Sequence, residues 1–276
     1  MKYNRTAYKE QKLMTGTLMT LILFAFMIVM ILRVVKLYGR QKKNQKILDL
    51  LDLVHEPDQF FPAAEAYVTG QKDPEFRAKG YVMKLWGDTL YEKDDNFRKD
   101  LEALDLSVLI GDFSKKDSGY DLNEDSFFYL YMAIPNRLYY RKNTELLNLL
   151  EEKMETVSGQ LSDTLLLAMH QAAMKLYENK DDCGKDFFRK VLDGDYGGYR
   201  YSRNMIGIYK NCITIMLAKI YQNEGNQEGF DSLVDDMKAF SEKRLGERWL
   251  EELDVKLPEE KSEEEPEEKP SDEEAK

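Results

Sequence analysis

Residues 73–104 read DPEFRAKGYVMKLWGDTLYEKDDNFRKDLEAL, and their spacing sets the fold class. Asp73 is a helix N-cap type, and Pro74 suits a first turn, where its missing N–H has no helical partner to lose. Phe76, Val82, Leu85, Trp86 and Leu90 then recur at helical intervals with Tyr81 beside them, so a helix is expected over Pro74–Lys93. Asp94-Asp95-Asn96 supplies a short turn and a fresh cap. Beyond it, Phe97, Leu101, Leu104 and Val108 repeat at three or four. Two amphipathic helices joined this way leave apolar surface that a lone pair cannot bury, so neighbouring pairs are expected to stack.

The layout repeats towards the C-terminus. Ser126–Lys142 reads as a first helix interrupted by Pro135, and Asn143-Thr144 caps a second with Leu146, Leu147, Leu149, Leu150 and Met154. Ser162 is expected to cap a helix ending near Asn179, followed by Cys183–Leu192. Ser202 is expected to cap a helix ending at Tyr221–Glu224, and Gly225-Asn226 turns into Gln227–Ser241. The first helices end on Leu90-Tyr91, Leu138-Tyr139, Leu176-Tyr177 and Ile220-Tyr221, spaced by 48, 38 and 44 residues. Towards the N-terminus, Gln45–Gly70 supplies two shorter helices, with Pro62 near the start of the second. Gln45–Val54 can continue the helix that precedes it. Little alternates with period two, so the class is all-α: an N-terminal transmembrane helix, an antiparallel helix-pair array of α-solenoid type, and a disordered acidic tail.

Leu217-Ala218-x-x-Tyr221-x-x-x-Gly225 resembles the tetratricopeptide repeat family: a leucine and a small residue, an aromatic three further on, then a glycine-centred turn. Trp86-Gly87-x-x-Leu90, followed by the turn at Asp94, is similar to the same signature. Phe230 and Met237 stand where that family has small residues, and the spacings exceed its usual repeat. The resemblance implies a concave peptide- or protein-binding surface without catalysis.

The two ends carry the rest of the argument. Leu13–Leu32 (LMTGTLMTLILFAFMIVMIL) is free of charge over twenty positions, which as a helix spans roughly 30 Å, the thickness of a hydrocarbon core. A transmembrane helix is expected over 13–35, between a basic tail at 1–12 and a basic juxtamembrane segment at 36–46. The run ends without the small-x-small site of a cleaved leader. Six cations come after it before Asp49 (Arg33, Lys36, Arg40, Lys42, Lys43, Lys46) against four ahead of it. The count favours a single-pass cell-membrane protein with its following domain in the cytoplasm. Formal charge is +9 over 1–46, −13 over the helical domain at 47–256 and −7 over 257–276. The acidic domain excludes nucleic acid as a partner. The tail, with three prolines and almost no apolar residue, is expected to be disordered.

Residue types suited to chemistry are few. His55 and His170 are the two histidines, and Cys183 and Cys212 the two cysteines, without CxxC spacing or a zinc-type cluster. His170 lies within an apolar helix and reads as a structural side chain. In Asp193-Gly-Asp-Tyr-Gly-Gly the fifth calcium-loop position is Gly197 and the twelfth is Asn204, so the donor set is wrong for calcium. No metal or cofactor is expected. The same loop places Tyr196, Tyr199, Arg200, Tyr201 and Arg203 close together, types that dominate interface hot spots. Tyr129 and Tyr140, in an aromatic-rich helix, join them as candidate partner-binding residues expected to be exposed. The function expected is a membrane-anchored scaffold that docks an unidentified protein or peptide, with the bilayer as its second partner through Leu13–Leu32. Two alternatives stand beside it: an enzyme using carboxylates such as Asp117, Asp121, Glu124 and Asp125, and a passive spacer.

Overall fold

The computed structural model describes residues 3–110, 123–177 and 183–239, and of residues 3–22, Cys183, Asp235, Lys238 and Ala239 it describes the backbone alone. Asp117, Asp121 and the acidic tail at 257–276 lie outside the described residues. The regular structure is helical: α1 (Tyr3–Leu53), α2 (Pro57–Gly70), α3 (Pro74–Leu90), α4 (Asp94–Ala103), α5 (Ser107–Ile110), α6 (Glu124–Phe128), α7 (Ile134–Tyr140), α8 (Thr144–Ser158), α9 (Leu165–Tyr177), α10 (Cys183–Leu192), α11 (Ile206–Glu224) and α12 (Gln227–Ala239). Among the described residues there is no strand, only an isolated bridge between Thr164 and Arg200. The chain forms two compact units, Met1–Gly111 with Asn148–Met154, and Asp112–Leu147 with Glu155–Lys276.

In the first unit α1 is unbroken from Tyr3 to Leu53. Its large apolar side chains from Leu23 to Tyr38 are all 45–69% exposed. Among the described residues no helix is long and apolar enough to cross a membrane; the first ten positions of the run Leu13–Leu32 fall where side chains are not described. Further along, Ile47, Leu50 and Val54 recur at three and four and are buried, where the end of α1 packs on α2 and α3. Three contacts fix the direction of α3. Lys43 Nζ meets Asp73 at 2.6 Å and Arg40 meets Glu75 at 3.0 Å at its start. Tyr91 OH donates to the Val54 carbonyl at 2.8 Å at its end. So α3 runs parallel to α1, and α2 returns antiparallel between their two ends.

Close approach of α2 and α3 depends on two glycines seven apart. A Cβ at Gly87 would lie 2.2 Å from the Phe60 ring, and one at Gly80 would lie 2.8 Å from Tyr67. Val82 through Leu90 are buried without a break, so α3 is the unit's central helix and over that stretch keeps no solvent face. Asp73 caps it as expected, its Oδ1 accepting the Glu75 N–H at 3.2 Å. Asp94 and Asp95 do not form a separate turn; they open α4, where acids suit the positive end of the helix dipole.

The second unit is organised around α6 and α7, joined by a π-helical turn at Tyr129–Ala133. Pro135 explains that turn. Its ring collides with the carbonyl four residues back, and it has no N–H to offer Tyr131. His170 of α9 fills the gap, its Nδ1 lying 2.7 Å from the Tyr131 carbonyl. A carbonyl only accepts, so Nδ1 carries the proton. Asn143 caps α8 as expected, with Oδ1 accepting the Leu146 N–H at 3.2 Å. Two expected caps move. Thr164, not Ser162, accepts from Leu167 N–H at the start of α9, at 3.3 Å. Ser202 does not cap α11, which begins at Ile206, and the Ser202 amide donates to Glu124.

The pairs in this unit turn as the glycines dictate. Gly225 ends α11 in the left-handed region at φ 68°, which only glycine adopts without strain. Gly184 lets α10 approach α9, where a Cβ would lie 2.6 Å from Leu176 Cγ and 2.8 Å from the Ala172 carbonyl. At Gly229 a Cβ would lie 3.0 Å from the Tyr221 ring, so α12 sits close on α11.

Candidate functional site

The connection between α10 and α11 needs three left-handed glycines, Gly194, Gly197 and Gly198, to fold back on itself. The residues beyond Gly198 are held firmly. Arg200 forms a parallel bridge with the segment before α9: its N–H donates to the Asp163 carbonyl at 2.8 Å and its own carbonyl accepts from Leu165 N–H at 2.9 Å. Its guanidinium also grips the Asp163 carboxylate through Nε and Nη2, at 3.2 and 2.9 Å. Two residues on, the Ser202 N–H donates to both Glu124 oxygens at 3.1 and 2.9 Å. Tyr209 OH donates to the same carboxylate. Burial raises the Glu124 pKa, partly offset by those donors, and the Tyr209 hydroxyl is pushed well above its ordinary value by burial and by the facing carboxylate.

This clamp decides which candidate residues can meet a partner. Arg200 is committed to Asp163. Tyr196 and Tyr201 pack on each other at 4.6 Å between centroids. Tyr199 remains 36% exposed, set edge-on to Phe187, and Arg203 is exposed. Beneath Tyr199 lies a pocket of ≈ 170 Å³ walled by Gln171 and Lys175 of α9 and Phe187 of α10, with Ala168, Ala172 and Gly184 leaving it open. Its chemistry is an aromatic wall opposite an ammonium and an amide.

The two remaining candidates are not on the surface. Tyr129 is 6% exposed, because every residue from Ser126 to Asn136 is buried and the helix keeps no outer face. Tyr140 is half-buried, its OH directed at the Met216 carbonyl at 3.4 Å. Its neighbour Tyr139 stacks on Tyr177 at 4.0 Å. Cys212 is a buried free thiol whose pKa burial raises to about 12, so it is not a nucleophile.

A second polar cluster lies in the first unit. Asp88 of α3 is 1% exposed, and Asp100 of α4 is buried beside it. Lys84, one turn before Asp88, reaches Asp100 at 2.9 Å and Glu65 of α2 at 2.5 Å. Neither Asp88 oxygen receives a donor from the protein, nor does Asp100 Oδ2. One proton shared by the two carboxyls would serve Asp100 Oδ2 and one Asp88 oxygen. Burial first, then the Asp100 charge, pushes Asp88 up to about 8. Asp117 and Asp121, by contrast, lie outside the described residues, Asp125 is exposed, and Glu124 belongs to the loop clamp. Lys84, Asp88, Asp100, Phe187 and Lys175 were therefore missed by spacing alone; a lysine and an aspartate four apart on the apolar stripe of α3 were the one available sign.

Compared with protein-family models, curated proteins and solved structures, the chain matches none.

Proposed function

We propose that this chain is a single-pass membrane protein whose tetratricopeptide-like helix pairs, an α-solenoid in plan, dock a protein partner at the bilayer without catalysis. One observation carries the docking reading: Tyr199 stands exposed on a loop fixed at Arg200 and Ser202, above an open pocket. Rigid presentation lowers the entropy cost of binding, and tyrosine is among the residues enriched at interface hot spots. The anchor reading draws on the uncharged run Leu13–Leu32 and on the exposed apolar shaft that continues it. Paired helices with close glycine contacts at Gly184 and Gly229 support the repeat reading.

The carboxylate-enzyme alternative has one geometric counterpart, Asp88 with Asp100, but those carboxyls are sealed from substrate. The spacer alternative calls for an evenly charged surface, and Tyr199 over Phe187 departs from that. The test is a photo-cross-linking amino acid placed in cells at 199, at 203 and, as a control, at exposed Glu228 of α12. Discrete adducts at the first two positions and none at the third support docking. Equal labelling at all three overturns it.

A further inference from the structure

The basic residues after the apolar run are not alone at their level. Lys43–Asp73 and Arg40–Glu75 tie the start of α3 to α1, eight to eleven residues past Leu32, which is roughly 12–16 Å along a helix. The headgroup layer is about 5–8 Å deep on each side of a bilayer, so this level lies roughly 4–11 Å beyond it, about one Debye length at physiological salt. Because α3 runs away from that level and α2 runs towards it, the α2–α3 turn is the tip of the unit nearest the apolar run. That tip carries exposed Lys72 and Arg77. Along α1, Arg33, Lys36, Lys42 and Lys46 are exposed as well.

Charge decides what this surface fits. Eight cations (Arg33, Lys36, Arg40, Lys42, Lys43, Lys46, Lys72, Arg77) face two carboxylates, Asp73 and Glu75, and both carboxylates are already matched by Arg40 and Lys43. The lowered pKa of Asp73, set chiefly by its hydrogen bond from Lys43, fits a pair formed at neutral pH. Six cations are left over in a chain of net charge −11. Cations gathered just past an apolar shaft, on α1 and on the α2–α3 turn packed against it, complement anionic headgroups. We infer that the α2–α3 turn and the first turns of α1 beyond the apolar run form one composite cationic collar that seats on anionic phospholipid headgroups. The collar rests on the membrane-anchor reading. Its specific content is that Lys72 and Arg77, thirty or more residues from the anchor in sequence, touch lipid.

The experiment uses the full chain in nanodiscs of phosphatidylcholine alone or with a third phosphatidylserine. Co-elution with the discs reports the anchor. Hydrogen exchange of residues 71–77 reports the collar. The collar predicts at least threefold slower exchange of that turn in the anionic discs than in the neutral ones. The difference should vanish in 0.5 M salt and in the Lys72→Glu, Arg77→Glu double variant. Equal exchange in both discs with normal co-elution overturns the collar and leaves the anchor standing, as does a double variant that keeps the full difference. Failure to co-elute with either disc overturns both.

Discussion

At the scale of residues, polar atoms inside the units are matched by partners far off in sequence. His170 donates to the Tyr131 carbonyl, to which Pro135, four residues on, has no N–H to offer. His170→Leu keeps the bulk and removes the donor to the Tyr131 carbonyl, so it should cost about 1–3 kcal/mol in chemical denaturation, the range for a buried hydrogen bond lost from one side. A change within about 0.3 kcal/mol would show that the carbonyl has another donor. Glu124 is the corresponding pin for the Tyr199 loop. Glu124→Gln keeps an acceptor for Tyr209 but gives up charge-assisted bonding, and should speed hydrogen exchange at Arg200–Arg203 without unfolding α9. The spacing showed neither pairing. Glu124 looked like part of a solvated acidic stretch because the partners that bury it, Ser202 and Tyr209, are 78 and 85 residues away. Tyr129 failed for a related reason: helical spacing identifies one face of a helix, and here all faces are covered.

At the scale of elements, the α2–α3–α4 layer holds two testable features. Gly87 admits the Phe60 ring where any side chain would collide. Gly87→Ala should destabilise by about 1–3 kcal/mol through overpacking, and Phe60→Leu should recover part of the loss. The second feature is the buried pair Asp88 and Asp100. Asp88 rises from the ordinary 3.8 to about 8 on folding, so the folded state binds the extra proton between those values. Its contribution is therefore complete below about pH 4 and is lost as pH rises through about 8, at up to about 1.4 kcal/mol per pH unit. Denaturation between pH 5 and 9 should show stability falling in that window, and Asp88→Asn should flatten the fall. Identical slopes for both proteins would mean that Asp88 is ionised in the fold. Elements themselves were largely legible. Asp73, Asn143 and Gly225 mark boundaries through local backbone chemistry, and the structure keeps all three. Ser162 and Ser202 have the same local chemistry but cap nothing: the Ser162 hydroxyl donates back to the Gly159 carbonyl while Thr164 takes the cap, and the chain at Ser202 is drawn to Glu124.

At the scale of the whole molecule, the uneven charge and the apolar shaft predict how the protein partitions. Alkaline carbonate should leave the full chain with the membrane fraction and detergent should release it, with recovery in the carbonate supernatant counting against the anchor. The all-helical class was legible because punctuation and period agreed along most of 47–256. The division into two units was not, since it depends on which apolar faces meet rather than on where they lie along the chain.

The unbroken backbone of α1 has a mechanical meaning. From Leu32 to Leu53 it extends roughly 32 Å without a proline, and its last turns are wedged between α2 and α3. For an anchored chain, any lean that lipid thickness imposes on the shaft is handed on rather than absorbed at a swivel. A lean of about 10° carries the far end sideways by roughly 6 Å. In an anchored chain the first unit would then follow the bilayer as a pointer follows its dial.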